Sequence, residues 1–91
     1  MRHYEQVLND AKQDNMTAAI LADHCMRAVI LAEEYRTLNH SDGAERELMR
    51  RATVIEDIAG DLGIRFECVQ VIKRLRHAYE QDTAELEEVA S

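Results

Sequence analysis

Ile58-Ala59-Gly60-Asp61-Leu62-Gly63-Ile64-Arg65-Phe66-Glu67-Cys68-Val69-Gln70-Val71-Ile72-Lys73-Arg74-Leu75 is the stretch on which the fold reading turns. It reads as the end of one helix, a tight turn and the start of another. Gly63 stands where the chain must reverse, because glycine accepts the positive φ that closes a helix C-terminus. Ala59 is small where two helices would cross. Ile58, Leu62, Ile64, Val69 and Ile72 are expected to supply the core of this corner, with helical spacing rather than strand alternation.

The same period extends outward in both directions. Upstream, Leu48, Ala52, Ile55 and Ala59 mark the inner stripe of a helix that begins near Gly43 or Ala44 and ends at Gly60 or Asp61. Asp42 followed by Glu45 fits the N-cap and N3 positions of a capping box. Downstream, a helix from Arg65 to beyond Leu86 places Ile64, Cys68, Ile72, Leu75 and Tyr79 inward. A first helix, Arg2 to Gln13, carries Tyr4, Val7, Leu8 and Ala11 on one face. Asp14, Asn15 and Thr17 are the candidate caps of a second helix, Thr17 to Leu38.

That second helix is apolar on most of its circumference, with Asp23, Arg27, Glu33, Glu34 and Arg36 expected outward. A helix apolar on nearly all sides must be surrounded. In so short a chain this predicts a homodimer with the second helix at its centre and Ile20, Leu21, Cys25, Val29 and Ile30 at the interface. His24 falls at the same seam.

The 91 residues, with no proline and three glycines, make one all-α domain of four helices. Residues 1–38 form the N-terminal helices and dimer core, 44–79 the corner unit, and 80–91 an acidic tail expected to fray into solvent. Cys25 and Cys68 are too few and too far apart for a disulfide framework, so free thiols in a reducing cytoplasm are expected. The N-terminus lacks the apolar run of a signal peptide. Asp23, His24 and Arg27 interrupt the longest apolar stretch, which excludes a bilayer span.

Residues 52–76 resemble the helix-turn-helix of DNA-binding regulators, whose second helix enters the major groove. The resemblance implies a small transcriptional regulator of phage or plasmid type. Arg50, Arg51, Lys73, Arg74 and Arg76 would then contact phosphates, and Arg65, Phe66 and Gln70 would face bases. Arginine suits guanine, glutamine suits adenine, and Phe66 or Val71 could meet a thymine methyl. Phe66 and Val71 could equally pack on a neighbouring helix.

The net charge of −7 has the wrong sign for DNA, but it is unevenly spread. Residues 1–43 hold four bases and seven acids, and residues 44–77 hold seven bases and six acids. Residues 78–91 hold five acids and no base. The relative basicity thus lies in the corner unit, and phosphate binding depends on such local charge.

Other chemistry finds less support. His3, His24, His40 and His77 have no repeated ligand spacing, so no metal or other cofactor is expected. Glu33-Glu34 on one helix, followed by a second helix and Leu62-Gly63-Ile64, is similar to the all-α nucleotide pyrophosphohydrolases of the MazG type. Those bind magnesium through Glu-Glu-x-x-Glu and a following Glu-x-x-Asp. Here Arg36 and Thr37 follow Glu33-Glu34-Tyr35, and Glu56-Asp57 is differently spaced, so the converging carboxylates are missing. An enzyme is not expected. The alternative to a DNA reader is an acidic helical adaptor or inhibitor, anti-CRISPR-like in size and charge. Glu33-Glu34 and Glu80 to Glu88 would meet a basic surface on its target protein.

Overall fold

The computed structural model describes residues 2–38 and 42–90, and among these the chain is four helices joined by short turns. They are α1 (Arg2–Asp14), α2 (Met16–Thr37), α3 (Asp42–Asp61) and α4 (Arg65–Ala90). The all-α class expected from composition is what the chain adopts. Of the loop expected from Asn39 to Gly43, residues 39–41 and the side chain of Asp42 lie outside the described residues, and residues 42 and 43 already belong to α3. Glu45 accepts from Arg36 Nε at 2.8 Å and so ties α3 to the end of α2.

Asn15 separates α1 from α2 and serves both. Its backbone N–H closes α1 on the carbonyl of Ala11 at 2.9 Å, and its side-chain oxygen accepts from the Ala18 N–H at 3.1 Å. Its extended φ of −155° is the usual geometry of an N-cap. Of the three candidate caps, Asn15 is the one used.

From that cap, α2 runs through the middle of the fold and touches all three other helices. Small residues make this possible: Ala18, Ala19, Ala22, Ala28 and Ala32 are all buried. They let neighbouring backbones approach where larger side chains would hold them apart. The stripe Leu48, Ala52, Ile55 and Ala59 of α3 is buried as expected, and Ala52 and Ile55 meet Cys25 and Ala28. Tyr4, Leu8 and Ala11 of α1 join the larger core against α2 and α4.

Composition alone leaves α2 to be covered by a second copy. Its own chain covers most of it. Cys25 is buried, while Leu21, Val29 and Ile30 are half-buried against the internal core. Of the five expected interface residues only Ile20 is exposed. Asp23 is buried rather than outward, and His24 is exposed on the single chain. A local pattern of apolar residues does not distinguish cover by another helix from cover by another chain.

The inner side of α4 is also set differently. Cys68, Val71, Leu75, Ala78 and Asp82 are buried, at spacings of three and four, while Ile72 and Tyr79 flank them half-buried. Val71, read as outward, faces the core. Both stripes have the period of a packed seam, and the docking of α1 selects the one containing Val71. α4 continues as a helix through Ala90, and Asp82 within it is bound to the start of α1.

Candidate functional site

The corner between α3 and α4 is a three-residue turn, Leu62-Gly63-Ile64. The Ile64 N–H donates to the Ala59 carbonyl at 2.9 Å and the Gly63 N–H to the Gly60 carbonyl at 3.0 Å. With Gly63 at φ 74°, this is the Schellman closure that the glycine predicted. Ala59 is fully buried, and Ile64 packs on the same core.

Two of the residues assigned to the corner's core lie outside it. Ile58 and Leu62 are exposed, and Phe66 at the head of α4 is 72% exposed. α3 packs mainly on α2, α4 packs on α1 and α2 about equally, and α3 and α4 touch each other only sparsely. The corner therefore presents apolar side chains to solvent that a tightly closed hairpin would have covered.

Between Cys68 and Tyr79 the outward positions of α4 collect one sign of charge. Gln70, Lys73, Arg74, His77 and Gln81 line a groove of about 420 Å³, with Val7 of α1 and Ala78 on its floor. Their spacings of three and four place them along one side of the helix. From Cys68 to Tyr79 the chain has Lys73, Arg74, Arg76 and His77 and no acid. Among the described residues, neither Lys73 nor Arg74 is held in an ion pair, so both keep their charge available to a partner.

The remaining bases divide sharply from these two. Arg76 reaches back to Glu33 of α2 at 3.6 Å, on the other side of α4. Arg50 pairs with Glu47 one turn before it at 3.0 Å. Arg51 is exposed on α3, and Arg65 is exposed with its Cδ lying above Gly60. The eight expected contact residues thus do not form one surface. Phe66, Gln70, Lys73 and Arg74 share one exposed side of α4, Arg65 falls on the side of Arg76 eleven residues on, and Arg50 and Arg76 are already engaged. His77, Gln81 and Val7 were not assigned to the site. The spacing 70–73–74–77–81 would have found the first two, but only the fold brings Val7 beside them.

At the far end of α4, His3, Asp82 and Glu85 bring ligand-type atoms within 4.8 Å of one another. The Asp82 oxygens accept the backbone N–H groups of His3 and Tyr4, each at 3.0 Å, and His3 Nε2 meets Glu85 Oε1 at 2.7 Å. Burial works against the Asp82 charge, but the two N–H donors outweigh it and hold the carboxyl below its ordinary value. Both oxygens are thereby committed to the start of α1, so this group acts as a latch between the chain's two ends. Glu33 is engaged with Arg76, and among the described residues no third carboxylate joins Glu33 and Glu34 in a magnesium-type cluster.

The thiols lie inside the core. Burial, reinforced by the charge of Glu56, pushes Cys25 up to about 11 and raises Cys68 as well. Neither has the exposed, electropositive setting of a reactive cysteine. No helix of the described residues is long and apolar enough to cross a membrane. No family model, curated protein or solved structure matches the chain.

Proposed function

We propose that this chain is a small helix-turn-helix nucleic-acid-binding regulator that docks through the outward side of α4. The observation that supports this best is the acid-free run 68–79, whose Lys73 and Arg74 stand unpaired beside Gln70 and His77 over a groove. Two cations free of carboxylates can displace condensed counterions from a phosphate backbone, which provides the sequence-independent part of DNA affinity. Phe66 and Gln70 precede them on the same side and offer an apolar contact and an adenine reader, while Arg65, a candidate guanine reader, starts the helix from its neighbouring side.

Fluorescence anisotropy with labelled duplex fragments tests the reading, with salt varied from low to physiological concentration. Binding should appear at micromolar protein in low salt and weaken steeply as salt rises. Lys73→Glu with Arg74→Glu should remove it while the helical circular dichroism stays unchanged. Absence of salt-sensitive binding at micromolar protein would end the proposal.

The exposed corner favours a second reading, in which the protein binds another protein. Phe66 and Leu62 are the kind of apolar anchors that become centres of interfaces. Phe66→Ala separates the two readings. It should weaken DNA binding modestly, but it should abolish capture of a protein target.

A further inference from the structure

Three large apolar residues of α2, Met16, Ile20 and Leu31, are exposed together with its C-cap Leu38. They are not scattered. Ile20, His24, Arg27, Leu31, Glu34 and Leu38 follow one another at spacings of four, three, four, three and four, and all six are exposed. That is the period of a coiled-coil seam. It lies on the side of α2 that the other three helices leave uncovered, and Met16 extends it by one turn.

The sequence of this seam is self-complementary when reversed. In an antiparallel pairing centred beside residue 29, Ile20 of one copy stands opposite Leu38 of the other, His24 opposite Glu34, and Arg27 opposite Leu31. Apolar thus meets apolar at both ends, and a hydrogen-bond donor meets a carboxylate inside them. Arg27 lays its aliphatic stem across from Leu31 while its guanidinium stays on Asp23 of its own helix at 3.0 Å. A parallel pairing would place His24 on His24, Arg27 on Arg27 and Glu34 on Glu34, so that like charges oppose one another. A two-fold interface requires the same patch to complement itself, and only the antiparallel register does so.

The exposed area points the same way. The chain exposes 6240 Å², against about 5,400 Å² for a compact monomer of its mass. The surplus of about 800 Å² is what one partner contributes to an interface of standard size. The molecule is a slab of 42 × 31 × 13 Å, a shape that leaves broad faces uncovered.

We propose that a second copy of the chain docks on this side of α2, forming an antiparallel α2–α2 dimer through Ile20, His24, Arg27, Leu31, Glu34 and Leu38. This retains the α2-centred pairing expected from composition and changes the residues that make it. It does not rest on the DNA-binding proposal, because it involves a different helix.

Sedimentation equilibrium at micromolar concentration should give twice the chain mass of 10.5 kDa. Leu31→Glu puts a charge at an already exposed position, so the helices persist by circular dichroism while association weakens tenfold or more. Glu34→Lys should weaken the dimer, and His24→Glu in that background should restore it. The double variant Ile20→Cys, Leu38→Cys should cross-link between copies under mild oxidation. Ile20→Cys alone should not, because its two copies would lie about 27 Å apart along the seam. A monomeric mass, an unaffected Leu31→Glu dimer, or efficient cross-linking through Ile20→Cys alone would overturn the proposal.

Discussion

Three polar side chains tie the helices together at points that apolar periodicity does not reveal. The Tyr4 hydroxyl donates to Asp23 Oδ1 at 2.8 Å, and Arg27 completes the group from one turn further along α2. Burial and this bond to a carboxylate raise the Tyr4 pKa well above its ordinary value. Tyr4→Phe should cost about 1.5 kcal/mol in urea denaturation, as expected for a hydrogen bond to a charged group. Asp82→Asn keeps one acceptor for α1 but loses the charge, and should cost about 1–2 kcal/mol at neutral pH. The folded-state pKa of Asp82 lies below its unfolded value, so its contribution is present above the ordinary aspartate range. It is lost as the pH falls through the lowered value. The gap between wild type and Asp82→Asn should therefore close only in strong acid. Cys25 and Cys68 should resist maleimide at pH 8 in the folded protein and react fully in urea. Asp23 looked solvent-facing because Arg27 sits at i+4. The acceptor role that buries it comes from a tyrosine nineteen residues away, which no local spacing records.

At the level of the helices, the two glycines of the corner make opposite predictions. Gly63 has φ 74° with open space around it, so Gly63→Ala meets no atom and suffers only backbone strain, about 1 kcal/mol. Gly60 lies inside α3, and an added methyl would meet only Arg65 Cδ at 3.9 Å. Gly60→Ala should therefore stabilise by about 0.5–1 kcal/mol through helix propensity and a less flexible unfolded chain. Thermal or urea unfolding of the pair distinguishes a glycine required by conformation from one that is not. This corner was the most legible part of the sequence, because a helix stop at Leu-Gly-Ile is local chemistry. The stripes of α1 and α3 were legible for the same reason. The rotation of α4 was not: 68–72–75–79 and 68–71–75–78 are both apolar, and the choice between them is made by α1, more than fifty residues earlier. The side of α2 that remains open was illegible too, since alanine and isoleucine serve internal and external contacts alike.

For the whole molecule, a net charge of −7 and binding to a polyanion are compatible only if few cations do the work and they lie clear of the acids. The ion pairs say which ones. Among the described residues Lys73 and Arg74 are unengaged, whereas Arg76 is offset by Glu33 and Arg50 by Glu47. Each cation that neutralises a phosphate contributes about 0.9 to the slope of log affinity against log salt. Lys73→Ala and Arg74→Ala should each lower that slope by nearly this amount and weaken binding similarly on every duplex. Arg50→Ala and Arg76→Ala should change it much less, because a contact to phosphate would first require each arginine to leave its carboxylate. Glu33→Gln provides the converse test: freeing Arg76 should raise low-salt affinity if that side of α4 also reaches the backbone, and leave it unchanged if only the Gln70–Gln81 side docks. Equal slopes for all four alanine variants would mean that binding follows total charge and not the exposed side of α4. The site assignment would then fail even if the protein bound DNA.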